Sequence, residues 1–502
     1  MQQHNIVIIG SGFGGQCAAI NLIKQGREDF VILERRSFMG GTWSQNTYPG
    51  AAVDVQSPLY SISHEPYPWT QMFANQKELN EYTEFVISKY NLRERTHTGC
   101  NVAKVEWQDD ISRWHIHLDN GEVYESQFII NASGPLSTPV IPNFKGKDNF
   151  KGKSFHTNDW DHSYDYKDKK VAIIGSGASA AQIIPEIAKD VKELHVFQRT
   201  PHWVMPRHDK KFKPWQRALL KNKFIYKLLR WSIYWGLETR ILGFKYSEAG
   251  LKAAAQKPAL AHIKRQIKDP ELRAKVTPDY TIGCKRIILS NTLYPAFCRD
   301  NVFLHDKTDG IDEITETGIN TEKGEKLDFD LIVYSTGYDA TDGVISYPVV
   351  GRGGKAISDV WEDYPRAYLG TVIPDFPNLF IVTGPNTGIG HTSAIFVIEA
   401  QMNYIMQAIH RVRGAHAKSI EVTPEAEERY TNHIHSEMKK TVWEKGGCNS
   451  WYKSKSGKVI AMFPGFSWAF WLLAKNLSLK FREAMVPIGS GTMNSSRRTG
   501  SQ

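Results

Sequence analysis

Two short loops carry the first chemistry this sequence offers. Gly10, Gly12 and Gly15 form G-x-G-x-x-G directly after the apolar run IVIIG and before a helical pattern. Gly175 and Gly177 repeat the motif after KKVAIIG, with Ala180 in the third position. In such a loop the first glycine makes a tight turn and the second lets backbone amides approach a pyrophosphate. The third lets helix and strand pack closely, so Ala is accepted there. One loop alone is a weak signal, and the end of the following strand sharpens it. Glu34 stands there in the first unit, roughly 20 residues past the glycines, where a carboxylate accepts hydrogen bonds from ribose hydroxyls. At the extreme N-terminus this arrangement favours FAD over NAD. Gly40 and Gly41 in MGGTW (Met39–Trp43) let backbone approach the same cofactor, or form a simple turn. In the second unit the corresponding place holds Arg199 and Thr200. A carboxylate there would repel a 2′-phosphate, whereas a guanidinium clamps it with two hydrogen bonds. The second loop therefore selects NADPH over NADH, unless Arg199 is a plain surface arginine.

Each loop needs a strand before it and a helix after it. The apolar and helical periods of IVIIG, QCAAINLIKQG and DFVILERR supply these for the first, and KKVAIIG, SAAQIIPEIAKDV and ELHVFQRT for the second. The fold class expected is α/β, with two Rossmann-like dinucleotide-binding domains, for FAD and NADPH. VAKVEWQ and WHIHLD alternate as half-buried strands, and DNGE reads as a hairpin turn. Residues 1–145 are expected to begin the FAD domain, 146–340 to form the NADPH domain, and 341–488 to return to the first. A helical insert is expected at about 208–280. Its stretch FIYKLLRWSIYWGLETRILGFKY is basic and amphipathic, as suits a lid, a packing insert or contact with a membrane surface. Residues 489–502 are polar and rich in glycine and serine, and are expected to be disordered.

Composition bounds the partners. The 502 residues are 41% apolar and 23% charged, as in a globular protein of two or three domains. The net charge of +9 fits solvated lysines and arginines, attraction of phosphate-bearing cofactors or weak membrane contact. No zinc-finger spacing or RNA-binding aromatic motif accompanies it, so no nucleic-acid partner is expected. FSWAFWLLA is too short to span a bilayer. The five cysteines are odd in number and contain no C-x-x-C, which argues against a disulfide scaffold, a zinc site or a dithiol centre. No metal is expected. The first residues enter a strand at once and leave no room for a signal peptide, so a cytoplasmic location is expected by default.

FAD with NADPH admits a disulfide reductase, a hydride shuttle to a quinone or protein carrier, or a monooxygenase. The first needs two cysteines close together at the flavin, and the cysteine spacing offers no such pair. Between the two units runs FKGKSFHTNDWD, or Phe150-x-Gly152-x-x-x-His156-x-x-x-Trp160-Asp161. Read alone, His156 is as well a satisfied structural histidine as a functional one. The pattern resembles the fingerprint of the class B flavoprotein monooxygenases, with the Trp-Asp ending of the Baeyer–Villiger type. The resemblance covers nearly the whole chain. It includes YPGAAVDVQS, GCKRIIL, STGYDA, GPN and CNSWY…GK…PG. Ser335 stands where the family usually has Ala, and MFPG where WPG is common.

The resemblance implies specific roles. Arg286 would be the catalytic arginine over the flavin, and Asp54 the carboxylate that orients it. On sequence alone both have plainer readings, as a surface cation and a turn aspartate. Lys285 would be a second cation for the 2′-phosphate, beside Ser179 in the NADPH site. Gly41, Thr42, Trp43, Asp54, Tyr60 and Asn386 would join the FAD site. His156 would act in coupling domain motion to cofactor position, and Trp160 would lie towards the nicotinamide. A fixed guanidinium would stabilise both a flavin C4a-peroxide and the anionic adduct formed when it attacks a ketone, giving an ester or lactone. Substrates expected are O2 with a small apolar ketone or a thioether. An N- or S-oxygenating enzyme of the same class is the nearest alternative, and an FAD/NADPH reductase a more distant one.

Overall fold

A computed structural model describes residues 1–340, 344–475 and 485–488. The expected tail, 489–502, lies outside the described residues. Two sheets organise the chain, and each is built around one glycine loop. In the first, strand Gln2–Ile9 lies between Phe30–Glu34 and Val123–Asn131, parallel to both. Ile6, Val7 and Ile8 are fully buried, because helices cover the sheet on one face and an antiparallel layer on the other. That layer is the alternating pair Val102–Gln108 and Arg113–Leu118. The DNGE turn joins the latter to Val123–Asn131 as a hairpin, with Gly121 at φ +86°. Far along the chain, Leu379–Ile381 comes back to pair in parallel with Ile129–Asn131. Helix Ala394–Gly414 then packs on helix Phe13–Lys24, which follows the first loop.

The second sheet is wholly parallel. Its order is Val302–His305, Glu193–Phe197, Lys170–Ile174, Leu331–Tyr334 and Lys153–His156. The α/β class with two Rossmann-like units is therefore observed. The two loops rest on their sheets in the same way. A Cβ on Gly10, at φ +101°, would lie 2.6 Å from the Ala132 carbonyl oxygen. On Gly175, at φ +113°, it would lie 2.3 Å from that of Ser335. Each glycine thus packs against the end of a neighbouring strand, and no larger residue fits.

The insert is helical, as its periodicity requires, with helices Pro214–Leu220, Lys223–Glu238, Lys257–Gln266 and Pro270–Val276. It serves both domains. Ile263, Ile267 and Val276 complete the core of the second sheet. Helix Lys223–Glu238 instead crosses to the first domain, where Tyr234 and Leu237 pack on Leu59. Arg230 pins that crossing. Its buried guanidinium donates to the carbonyls of Pro58, Leu59 and Ser61 at 2.9, 3.0 and 2.7 Å, and to Glu399 at 3.2 Å. Truncating it strands a carboxylate and three carbonyls. Arg230→Ala is expected to cost about 3 kcal/mol or more and to lower the thermal midpoint. Lys227→Ala, exposed on the same helix, should change stability by less than about 0.5 kcal/mol. Equal midpoints for the two variants would show that Arg230 does not hold the insert.

Candidate active site

The loops show which glycines the protein itself requires. Beyond Gly10 and Gly175, a Cβ on Gly15 would lie 2.0 Å from the Gly10 carbonyl oxygen, so that helix and strand could not close. The middle glycines differ. A Cβ on Gly177 would meet nothing within 4 Å, and one on Gly12 only the Gly41 Cα at 3.4 Å. No protein contact explains a glycine at these two places. Space kept clear for a pyrophosphate does, and the residues present therefore fit two dinucleotides.

Around the first loop the groups are fixed. Glu34 is buried at the strand end. One carboxylate oxygen accepts from the Ser11 amide at 3.0 Å and hydroxyl at 2.7 Å, the other from the Arg36 amide at 3.0 Å. A carboxylate has about four acceptor sites, so one remains for a ribose. Gly41, at φ +64°, packs so closely that a Cβ would lie 2.6 Å from the Gly12 Cα. Thr42 and Trp43 open the short helix that follows. Trp43 donates its indole N–H to the Tyr60 hydroxyl at 3.3 Å. Asn386 is buried at φ +56°, and its amide donates to the carbonyls of Val459 and Met462 at 3.2 and 3.0 Å. Its evident work is to shape the return loop.

Asp54 and Arg286 meet across the two domains. The arginine donates from Nε to one carboxylate oxygen at 2.6 Å and from Nη2 to the other at 2.5 Å. This is the forked geometry that fixes a guanidinium in plane. The pair is partly open, with 45% of the arginine side chain and 28% of the aspartate side chain accessible. Burial alone would raise the Asp54 carboxyl, but the charge and hydrogen bonds of Arg286 outweigh it and hold it below the usual range. Asp54 in turn raises Arg286 against the opposing effect of burial. Both groups are charged throughout the neutral range. Tyr60 and Tyr452 stand close enough to feel the pair, and burial pushes both up, Tyr452 to about 12.

Both partners are held from the opposite side. On the Asp54 loop, Gln182 of the second domain accepts from the Tyr48 hydroxyl at 3.0 Å and donates to the Ala52 carbonyl at 2.8 Å. Ser179 lies in the same helix, beside Tyr48. On the Arg286 loop, Thr281 donates to the Gly446 carbonyl at 3.1 Å, and Cys284 is joined to Cys448 in a disulfide. The count and spacing of the cysteines argue against a disulfide scaffold, and this one cross-link is present all the same. The two lie 164 residues apart, so local spacing could not reveal them. The cross-link ties the arginine loop to the segment that presents Tyr452. It does not make a C-x-x-C centre.

Lys285 and Arg199 lie near enough to repel each other. Burial lowers the lysine, and repulsion from Arg199 lowers it further. Two neighbouring cations suit a phosphate dianion. Next to them burial, with Lys285 adding, lowers His202 to about 4, so it is neutral. The Thr200 carbonyl accepts from the Ser176 hydroxyl at 3.1 Å and closes the loop.

The linker has a definite construction. A Cβ on Gly152 would lie 2.5 Å from the Phe150 ring, which folds back over it. His156 is buried, its Nδ1 accepting from the Asn158 amide at 3.0 Å, and burial lowers its basicity. Trp160 packs in the core of the second sheet, edge-on to Phe155 at 5.1 Å and Tyr166 at 6.2 Å. Asp161 pairs with Lys153 at 2.5 Å and accepts from the Ser163 amide and hydroxyl. Asn158 makes the contact between domains. The Tyr338 hydroxyl bridges its side chain at 3.0 Å to that of Asn46 at 2.9 Å, and Gln45 donates to its carbonyl at 2.5 Å. Neither Asn158 nor Tyr338 was singled out from the sequence, though both sit inside motifs that were.

Known proteins resemble this chain along nearly its whole length. Residues 7–230 match a family model described as pyridine nucleotide-disulphide oxidoreductase. A Baeyer–Villiger monooxygenase of Pseudomonas aeruginosa is 42% identical over 94% of this chain and 89% of its own. The cyclohexanone monooxygenase of Rhodococcus sp. Phi1, solved with NADP+, superposes with a TM-score of 0.87 at 27% identity, covering 97% and 99% of the two chains. OTEMO in complex with FAD and NADP does so at 0.87 and 25%, covering 96% and 99%. The glycines give a prediction. Gly175→Ala should lower the thermal midpoint, while Gly177→Ala should leave it within about 0.5 kcal/mol yet weaken NADPH binding. A midpoint for Gly177→Ala as low as that for Gly175→Ala would show that its role is structural.

Proposed function

Because this chain belongs to the Baeyer–Villiger monooxygenases and is an FAD- and NADPH-dependent flavoprotein, we propose that Arg286 and Asp54 carry its oxygen insertion and that its preferred substrate is a small apolar ketone. The single observation that carries the reading is the forked ion pair between Asp54 and Arg286, partly open to solvent. The overall change converts a ketone, O2, NADPH and a proton into an ester or lactone, water and NADP+. Bound FAD and NADPH supply the electrons and the activation of O2. Thioethers are proposed as secondary substrates, oxidised at sulfur.

The residues of the chain then have distinct tasks. Gly10, Gly12 and Gly15 would bring backbone amides to the FAD pyrophosphate, and Glu34 would accept from its ribose. Gly175 and Gly177 would do the same for NADPH, with Arg199 and Lys285 gripping the 2′-phosphate. Arg286 would face negative charge as it develops on the substrate carbonyl oxygen. A guanidinium cannot lose its proton there, and Asp54 spares it reorientation as that charge appears. Tyr60 and Tyr452 stay protonated and add no second anion. His156 and Asn158 would transmit movement between the domains, since their segment touches both.

Arg286→Ala is expected to retain FAD and to form no ester from a simple ketone, as read by product mass. Ester formation near the wild-type rate would overturn the assignment. Arg199→Ala with Lys285→Ala should cut kcat/KM for NADPH by about tenfold or more and leave NADH almost unaffected, since each removes a charged hydrogen bond. An equal loss for both nucleotides would place these cations elsewhere.

A further inference from the structure

Helix Lys223–Glu238 is apolar on two opposite faces. Tyr226, Tyr234 and Leu237 are buried on the inner face, around Arg230. Phe224, Leu228, Trp231 and Trp235 follow at i, i+4, i+7 and i+11, one stripe on the other side. All four are exposed, Phe224 by 69% and Trp231 by 59%. Trp215 and Leu219 extend the stripe from the preceding helix, and Trp215 is 60% exposed. Isolated apolar residues on a surface need no explanation, but a contiguous stripe with three tryptophans does.

The charges around the stripe identify its partner. Lys211, Lys213, Arg217, Lys221, Lys223 and Lys227 are all exposed, and none pairs with a carboxylate among the described residues. The only acid between residues 210 and 247 is Glu238. It is buried, and its carboxylate accepts from the Ser467 amide at 2.6 Å and hydroxyl at 2.5 Å. Tryptophan favours the depth of lipid headgroups, and an apolar stripe edged by lysine lies in the plane of an anionic interface. A second copy of this chain fits less well, because a two-fold contact would set one positive face against another. No helix among the described residues is long and apolar enough to cross a membrane. We propose that residues 211–235 dock this protein on the surface of anionic phospholipid bilayers, with the Phe224–Trp235 stripe seated among the headgroups.

The test is co-sedimentation of the holoenzyme with vesicles of phosphatidylcholine containing about one-quarter phosphatidylglycerol. Pure phosphatidylcholine vesicles provide the comparison. Binding should be about tenfold or more weaker to the neutral vesicles, and should fall when salt is raised to about 0.5 M. Trp231→Ser with Trp235→Ser should abolish binding. Lys221→Gln, Lys223→Gln and Lys227→Gln together, which leave the packing untouched, should weaken it by about tenfold or more. Both variants should oxidise NADPH with a water-soluble ketone as the wild type does. Failure of the wild type to bind the anionic vesicles would overturn the proposal, as would binding unchanged in both variants. A dimer in light scattering that the tryptophan variant splits, without vesicle binding, would instead make the face a contact between copies.

Discussion

The rest of the site depends on one ion pair between domains. Asp54 comes from the first domain and Arg286 from the second, and their two hydrogen bonds fix a planar cation. The fork forms only while the two loops keep their relation, and that relation is held by contacts on both sides of it. Gln182 secures the aspartate loop and the disulfide secures the arginine loop. The guanidinium is thus held in one orientation by protein contacts alone.

The same logic runs through the linker. It is the edge strand of the second sheet, and its next residues reach the first domain through Asn158, Gln45, Asn46 and Tyr338. His156, buried and held by the Asn158 amide, stabilises the turn from which these contacts leave. Arg230 and Glu238 perform a comparable service for the insert, which spans both domains on another side.

What could be read from the sequence follows the range of the interactions. The two loops, their strands and the strand ends that carry Glu34 and Arg199 were legible because the tight turn and the packing of strand on helix act within one strand–loop–helix unit. The helical insert was legible from its period. Long-range contacts were not. The Cys284–Cys448 cross-link, the grip of Gln182 on the Asp54 loop and the bridge from Tyr338 each join residues that no local spacing relates. Gly12 and Gly177 mark where sequence and structure are most informative together. The motif names them, and the empty space around them shows that the protein does not need them for itself.

The central claim is that a fixed guanidinium, held in a fork by Asp54, directs an atom of O2 into the substrate. It is tested most directly by the yield of ¹⁸O-labelled ester per NADPH oxidised under ¹⁸O2, in the wild type and in Arg286→Lys. A lysine keeps the charge but cannot make the forked contact. The account predicts one labelled oxygen in the wild-type ester and a yield lower by about tenfold or more in the variant. NADPH oxidation should continue in that variant, with O2 reduced to hydrogen peroxide. Labelled ester at the wild-type yield from Arg286→Lys would contradict it.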